Sequence, residues 1–145
     1  EPEPFLSFVH DVDYGVIDAN PALARALAGL SGRRYIFTNG STEHAKNVLD
    51  RLGIADLFDD VFDIVRAGYV PKPKPEPYDH IVSDFELVPH ETVFVEDMAC
   101  NLAPAKSRGM TTVLVAQTDG AATVEVDYVI SDLAGWLCDG RLVTS

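Results

Sequence analysis

The chain has few of the features that mark membrane or secreted proteins. No apolar run approaches the length that a bilayer-spanning helix needs. The first residues also lack the basic and then apolar order of a signal peptide. Its 2 cysteines, Cys100 and Cys138, show no metal-ligand spacing and favour a reduced pair in the cell interior. We therefore expect a cytoplasmic protein whose 145 residues build one core.

Basic residues are also scarce, with 11 Lys and Arg against 23 Asp and Glu and a net charge of −12. This balance argues against binding to a nucleic-acid backbone or to an anionic membrane. It does not exclude a small anionic substrate, because a magnesium ion and a lysine can reverse the field inside a cleft.

Apolar periodicity and turn residues predict strands that alternate with helices, typical of a parallel α/β sheet. Asn20-Pro21 and Gly40-Ser41-Thr42 have the composition of helix starts, and Gly53 that of a helix end. The predicted helices are 21–30, 42–52, 75–87, 101–108 and one after Asp132, and the predicted strands are 34–37, 61–65, 92–95, 112–115 and 128–130.

Three polar clusters follow apolar runs in a fixed order. Thr38-Asn39-Gly40 follows the first run, Pro71-Lys72-Pro73 follows Val70, and Glu96-Asp97 follows Thr92–Val95. If the runs are neighbouring parallel strands, the clusters meet at the carboxyl edge, where such folds bind ligands. A hydroxyl, an ammonium and two carboxylates suit a phosphoryl group with Mg²⁺.

Each cluster also has a purely structural interpretation. Thr38-Asn39-Gly40 is ordinary turn chemistry, and Lys72 could be a solvated lysine, with Lys74 as its rival. Glu96-Asp97 could simply complement a helix dipole, while Asn101 could either orient this turn or cap the next helix.

A nucleophile is hard to find. Asp11-Val12-Asp13 has two acids near a possible strand end, but His10 interrupts the apolar run. The segment Phe5–Val9 fits a helix as well as a strand. We therefore do not assign the nucleophile to Asp11 or Asp13.

The order of the motifs resembles the haloacid dehalogenase superfamily of phosphatases, and more narrowly its pyrimidine 5′-nucleotidase-like branch. The stretch 32–40 with His44-Ala45 and 48–53 is similar to the second motif of that branch and its helix. Lys72-Pro73-x-Pro75 is similar to the third motif, and Phe94–Asp97 with Asn101-Leu102-Ala103 to the fourth.

The resemblance implies a Rossmann-like parallel sheet with flanking helices and a role for each motif. Thr38, Asn39 and Gly40 would bind the transferred phosphoryl group, and Lys72 would neutralise it. Asp97, assisted by Glu96, would hold Mg²⁺. We expect Thr38, Asn39 and Lys72 to be the catalytic residues.

The resemblance also implies that a segment is absent. Members of the superfamily begin with an apolar strand ending in Asp-x-Asp-x-Thr, and Phe8–Asp11 is similar to the end of the cap that follows it. We therefore expect residues 1–18 to be the end of a helical cap and a linker, and residues 19–145 to be the α/β core. This core would lack its first strand and most of the cap.

The resulting functional hypothesis is a Mg²⁺-dependent phosphomonoester hydrolase acting on a small phosphorylated metabolite, such as a nucleoside 5′-monophosphate. Two alternatives remain within the superfamily, an enzyme for a sugar phosphate, phosphoglycolate or haloacid, and an inactive phosphate-binding module. A phospho-accepting receiver domain is disfavoured, because such domains place the acids first and the lysine last.

Overall fold

The computed structural model of the chain describes the backbone of residues 3–6 and the whole of residues 18–116 and 126–139. The described strands are β1 Glu3–Leu6, β2 Tyr35–Phe37, β3 Asp60–Phe62, β4 Thr92–Glu96, β5 Thr111–Val115 and β6 Tyr128–Ile130. The described helices are α1 Pro21–Ala28, α2 Thr42–Leu52, α3 Pro75–Asp84, α4 Ala103–Ser107 and α5 Leu133–Cys138.

All described strands are parallel and form one sheet in the order β3-β2-β1-β4-β5-β6. Side chains on successive strand residues alternate between the two faces. Ile36, Val93 and Val95 pack with the helices α1, α2 and α5 on one face. Phe37 and Phe94 pack with α3 and α4 on the other. The predicted α/β fold with flanking helices is therefore confirmed.

Local sequence signals place the helix boundaries well. The side chain of Asn20 accepts a hydrogen bond from Leu23 N at 3.1 Å, and Ser41 accepts one from His44 N at 3.0 Å. Gly53 ends α2 in the left-handed region at φ 77°. These are the N-caps and the C-cap that their residue types predict.

Several predicted bounds are too long. The strand predicted at 61–65 ends at Phe62, because Ile64 to Ala67 form a single helical turn that Gly68 closes at φ 66°. The helix predicted at 101–108 is a 3₁₀ turn, Ala99–Asn101, followed by the short α4. Asp132 stands at the N-cap of α5, but its side chain makes no capping hydrogen bond.

The expectation that the sheet lacks its central strand is wrong. Residues Glu3–Leu6, assigned from the sequence to the end of the cap, lie between β2 and β4, with Phe5 in register with Tyr35 and Phe94. The physical reason is that an empty slot would leave backbone groups of both neighbours without partners. The remainder of the predicted cap end, including Asp11 and Asp13, lies outside the described residues, and the boundary at residue 18 stays a prediction.

None of the helices in the described ranges is long and apolar enough to cross a membrane.

Candidate active site

The hydroxyl of Thr38 lies just beyond the carboxyl end of β2, at the start of the turn into α2. Thr38 is buried, and its backbone N–H donates to the carbonyl of Phe62 at 3.0 Å, which ties it to β3. Its Oγ1 accepts a hydrogen bond from Gly40 N at 2.9 Å. The turn therefore presents a hydroxyl and backbone N–H groups at the amino end of a helix, which is a favourable place for an anion.

Lys72 is the buried cation of this edge. Its Nζ donates to the carbonyl oxygen of Phe37 at 2.8 Å and to Oε2 of Glu96 at 2.9 Å, and its side chain is 0% exposed. The same nitrogen lies 4.7 Å from the ring centroid of Phe37 and 5.5 Å from that of Phe94. Burial lowers the pKa of Lys72, and the nearby carboxylate of Glu96 opposes this shift.

Lys74, the rival suggested by the sequence, is exposed and stands at the N-cap position of α3. The sequence could not tell which of the two lysines belongs to the site. The structure shows that Lys72 is buried at the edge of the sheet and that Lys74 is exposed.

Asn39 holds the backbone of Lys72 with both ends of its side chain. Its Oδ1 accepts from Lys72 N at 2.8 Å, and its Nδ2 donates to Lys72 O at 3.2 Å. The peptide bond between Lys72 and Pro73 is cis. The amide group of Asn39 thus connects the turn after β2 to the loop that carries Lys72, a contact between residues 33 positions apart.

Glu96 and Asp97 occupy different environments although they are adjacent. Glu96 is buried, with Oε2 on Lys72 and Oε1 accepting from the N–H groups of Asp97 and Met98 at 3.0 and 3.3 Å. Burial raises the pKa of Glu96, the charge of Lys72 opposes the shift, and Asp97 adds to it. Asp97 is exposed at the edge of the sheet. The two acids therefore cannot play the same part.

Among the residues described, no group of three or more His, Cys, Asp or Glu side chains could by itself hold a metal ion. Asp97 is the accessible carboxylate at this edge, whereas both oxygens of Glu96 accept hydrogen bonds. Mg²⁺ often has one or two carboxylate ligands and completes its shell with water and substrate phosphate. A metal at this edge would therefore take one carboxylate from Asp97 and the rest of its ligands from water and substrate.

Asn101 lies in the turn after β4 and does not cap α4. It is buried, and its backbone carbonyl accepts a hydrogen bond from the hydroxyl of Tyr78 in α3. The N-cap position of α4 belongs to Leu102, without a side-chain capping bond. Of the two roles left open by the sequence, capping of α4 is therefore excluded, and orientation of the turn that carries Asp97 stays a prediction.

Sequence reasoning missed Asp63, which fastens the end of β3 to the start of α2. Its Oδ2 accepts from the N–H and the hydroxyl of Thr42 at 3.1 and 2.8 Å, and its Oδ1 accepts from Arg66 N at 2.9 Å. Burial raises the pKa of Asp63, but these hydrogen bonds outweigh it and hold the pKa below its ordinary value. Only the position of Asp63 directly after a strand could have suggested this role.

A groove of about 700 Å³ lies elsewhere, between α2 and the edge strand β3. Its lining includes 5 aspartates against Lys46 and Arg66, and Arg66 is itself bound to Asp60 at 2.9 Å. Such a lining repels an anion, so the groove is an unfavourable place for a phosphate group.

The structure brings Thr38, Asn39, Gly40, Lys72, Glu96 and Asp97 to one edge of the sheet. The model of the family described as "Hydrolase: haloacid dehalogenase-like hydrolase" matches residues 8–109. The chain belongs to this family of hydrolases.

Two curated relatives have sequences similar to parts of the chain. The (S)-2-haloacid dehalogenase of Xanthobacter autotrophicus is 30% identical over 118 residues, which are 79% of this chain and 46% of that protein. The bifunctional epoxide hydrolase 2 of Mus musculus is 36% identical over 68 residues, which are 47% of this chain and 12% of that protein. The chain therefore spans less than half the length of either relative.

Solved structures share the fold. The L-2-haloacid dehalogenase of Xanthobacter autotrophicus with covalently bound chloropropionic acid gives a TM-score of 0.73 at 23% identity, covering 88% of this chain and 63% of that one. A HAD phosphatase from Thermococcus onnurineus gives 0.67 at 26% identity, covering 85% and 54%. The comparisons thus include both dehalogenases and a phosphatase.

Proposed function

We propose that the protein is a Mg²⁺-dependent phosphomonoester hydrolase whose substrates include nucleoside 5′-monophosphates. The observation that carries this proposal is the buried ammonium of Lys72, held between Phe37 O and Glu96 beside the Thr38 turn. A fixed cation in a site of low dielectric stabilises negative charge that develops on a transferring phosphoryl group.

Each residue has one task in this proposal. The hydroxyl of Thr38 and backbone N–H groups of the turn that follows β2 bind the phosphoryl oxygens, and Lys72 neutralises their charge. Asn39 contributes by holding the Lys72 backbone. Asp97 carries the metal, and Glu96 orients both the lysine and the turn. Mg²⁺ would supply charge neutralisation at the phosphoryl oxygens.

The proposed reaction uses an aspartate carboxylate as its attacking group. Its oxygen forms a bond to phosphorus, the ester P–O bond breaks, and the leaving oxygen takes a proton. Water then cleaves the acyl phosphate. In the described part of the site, Glu96 is engaged by Lys72 and Asp97 serves the metal, so neither is this group.

The proposal has two versions. The nucleophile is Asp11 or Asp13, which lie outside the described residues, or it comes from sequence that precedes Glu1 in the gene. The single variants Asp11→Asn and Asp13→Asn decide between them. Loss of turnover with retained phosphate binding assigns the role to that residue, and full activity in both assigns it upstream.

The main test is hydrolysis of p-nitrophenyl phosphate by the protein, expressed with any sequence that precedes Glu1 in its gene. We expect turnover with Mg²⁺ and none with excess chelator. Lys72→Ala should abolish it, and the matched variant Lys74→Ala should retain it, since Lys74 is exposed. Unchanged turnover in Lys72→Ala would refute the proposal.

The relatives favour one alternative, halide removal from a 2-haloacid. Haloacid dehalogenases need no metal, and their substrate carries its own carboxylate. Here such a carboxylate would approach the exposed Asp97, which is unfavourable unless a cation lies between them. Chloride release from 2-chloropropionate in the presence of chelator would favour the dehalogenase, and Mg²⁺-dependent phosphate release favours the phosphatase. Binding of phosphate with neither reaction would indicate an inactive module.

A further inference from the structure

Tyr69 lies in a left-handed conformation that its loop does not require. Gly68 and Tyr69 both have positive φ, 66° and 65°. The helical turn before them is closed by Gly68 N to Val65 O at 2.9 Å and Tyr69 N to Ile64 O at 2.8 Å. In this closing motif the glycine is the residue that needs the left-handed region. The same conformation at Tyr69, a bulky residue, is unfavourable and calls for a functional reason.

The tyrosine is also the most solvent-exposed large apolar side chain in the described part of the chain, at 71%. A side chain that stabilised its loop by packing would be buried. The unusual backbone therefore does not serve a core contact among the described residues.

The loop that carries Tyr69 is hydrogen-bonded at both ends to the turn that follows β2. At its start, Ile64 N donates to Gly40 O at 3.1 Å. At its end, Asn39 holds the Lys72 backbone through two hydrogen bonds. Both anchors are thus on consecutive residues of the turn that follows β2.

These anchors keep the backbone of Tyr69 close to the turn that follows β2, where the proposed function places the phosphoryl group. Its backbone nitrogen is connected to Gly40 through a single residue, Ile64, by two hydrogen bonds. Its Cα therefore lies within about 11 Å of Gly40 O. The phenol ring extends about 6 Å further from the Cα. The span from a nucleotide's 5′-phosphate to its base falls within this reach.

We propose that Tyr69 is a specificity-determining residue that stacks on a planar, aromatic leaving group, such as the base of a nucleoside 5′-monophosphate. The proposal rests on the proposed function, because it takes the phosphate site at Thr38 and Lys72 as the anchor of the substrate. In this proposal, the loop between β3 and α3 determines which phosphomonoesters the protein prefers.

The test measures dissociation constants by isothermal titration calorimetry, so that it does not depend on turnover. The probes are the non-hydrolysable phosphonate analogue of uridine 5′-monophosphate and methylphosphonate, which has the charged group without the ring. The variants are Tyr69→Gly, which removes the ring and suits the backbone, and Tyr69→Phe, which keeps the ring. Glu86→Gly is the control, since Glu86 also has a positive φ, 53°, but lies at the far end of α3.

Stacking of a base on an aromatic side chain is worth about a factor of 5 to 150 in affinity. We expect Tyr69→Gly to lower the affinity for the uridine analogue about tenfold or more and the affinity for methylphosphonate less than twofold. Tyr69→Phe and Glu86→Gly should bind both probes like the wild type. The melting temperature of Tyr69→Gly should equal or exceed that of the wild type, because the backbone strain is removed.

Equal weakening of both probes in Tyr69→Gly would show that the residue only shapes the loop, and no weakening would show that it does not contact the base. Either result overturns the inference and leaves the proposed function standing. A wild type that binds neither probe while Mg²⁺-dependent hydrolysis is also absent overturns the proposed function itself.

Discussion

Lys72 and Glu96 show how burial changes the part that a charged side chain can play. The pleat of β4 places Glu96 on the same face as Phe94, towards the loop that delivers Lys72, while Asp97 lies beyond the strand end in solvent. The sequence could predict that at least one acid reaches the edge, because acids directly follow an apolar strand. It could not predict the partner of the buried acid, 24 residues away.

Removal of the lysine leaves an unpaired carboxylate in the core. We expect Lys72→Met to lower the free energy of unfolding by about 3–5 kcal/mol, the usual cost of breaking a buried pair. The double variant Lys72→Met/Glu96→Gln should recover most of this loss and still lack activity. Urea unfolding with an activity assay checks both. A double variant as unstable as the single one would show that the pair is not the cause.

Gly40 lies directly beside the hydroxyl of Thr38. A Cβ at this position would lie 3.4 Å from Thr38 Oγ1 and 3.5 Å from His44 Cδ2, which is ordinary contact. We therefore expect Gly40→Ala to fold normally and to weaken phosphate binding about tenfold, equivalent to about 1.4 kcal/mol, because the methyl group occupies part of the anion site.

Gly29→Ala is the matched control, since a Cβ there would lie 3.6 Å from its nearest neighbour at the end of α1. Calorimetric titration with inorganic phosphate compares the two variants. Equal affinity in Gly40→Ala and Gly29→Ala would place the anion elsewhere.

At the scale of elements, the sequence predicted helix ends best, because these depend on neighbouring residues. Asn20, Ser41 and Gly53 define helix ends through contacts with residues a few positions away. The end of β3 was overestimated because Ile64 and Val65 have high strand propensity, yet the hydrogen bonds of Asp63 to Thr42 and Arg66 favour a turn. That choice depends on a residue 21 positions away, which periodicity does not detect.

Asp63 makes the junction of β3 and α2 sensitive to acid. Its folded-state pKa lies below the unfolded value, so its charge stabilises the fold above about pH 4 and the stabilisation is lost as pH falls through the folded pKa. We expect Asp63→Asn to cost about 1.5–3 kcal/mol at pH 7. The difference between variant and wild type should shrink as the pH falls below about 4.

Chemical denaturation at several pH values from neutral to acid tests this prediction. Thr42→Val, which removes the hydroxyl that donates to Asp63 and leaves the N–H in place, should show a smaller loss of the same sign. A difference that is independent of pH would mean that the carboxylate charge is not involved.

At the scale of the whole molecule, the parallel sheet could be predicted from the alternation of strands and helices, but its central strand could not. Phe5–Val9 has no decisive periodicity in the sequence. The place of Glu3–Leu6 in the sheet depends on backbone pairing with β2 on one side and β4 on the other. The convergence of the site residues followed from strand order. The double contact of Asn39 with Lys72 did not, because it is made across a loop.

The net charge of −12 predicts self-repulsion in the folded chain. We expect the melting temperature to rise by about 2–4 °C between low and about 0.5 M NaCl, because screening reduces that repulsion by about 1 kcal/mol. The exposed ion pairs, such as Arg108 with Asp79, weaken in salt but contribute little. Differential scanning calorimetry measures the shift. A decrease would show that surface pairs dominate.

Because Lys72 is buried, its amine should react more slowly with modifying reagents than the amines of exposed lysines. Acylating or reductively methylating reagents need a neutral amine that solvent can reach, and the side chain of Lys72 is 0% exposed. Such reagents should label the exposed Lys46 and Lys74 in the native protein and spare Lys72 until the fold opens. Mass-spectrometric mapping of that one amine would then report the integrity of the site without any substrate.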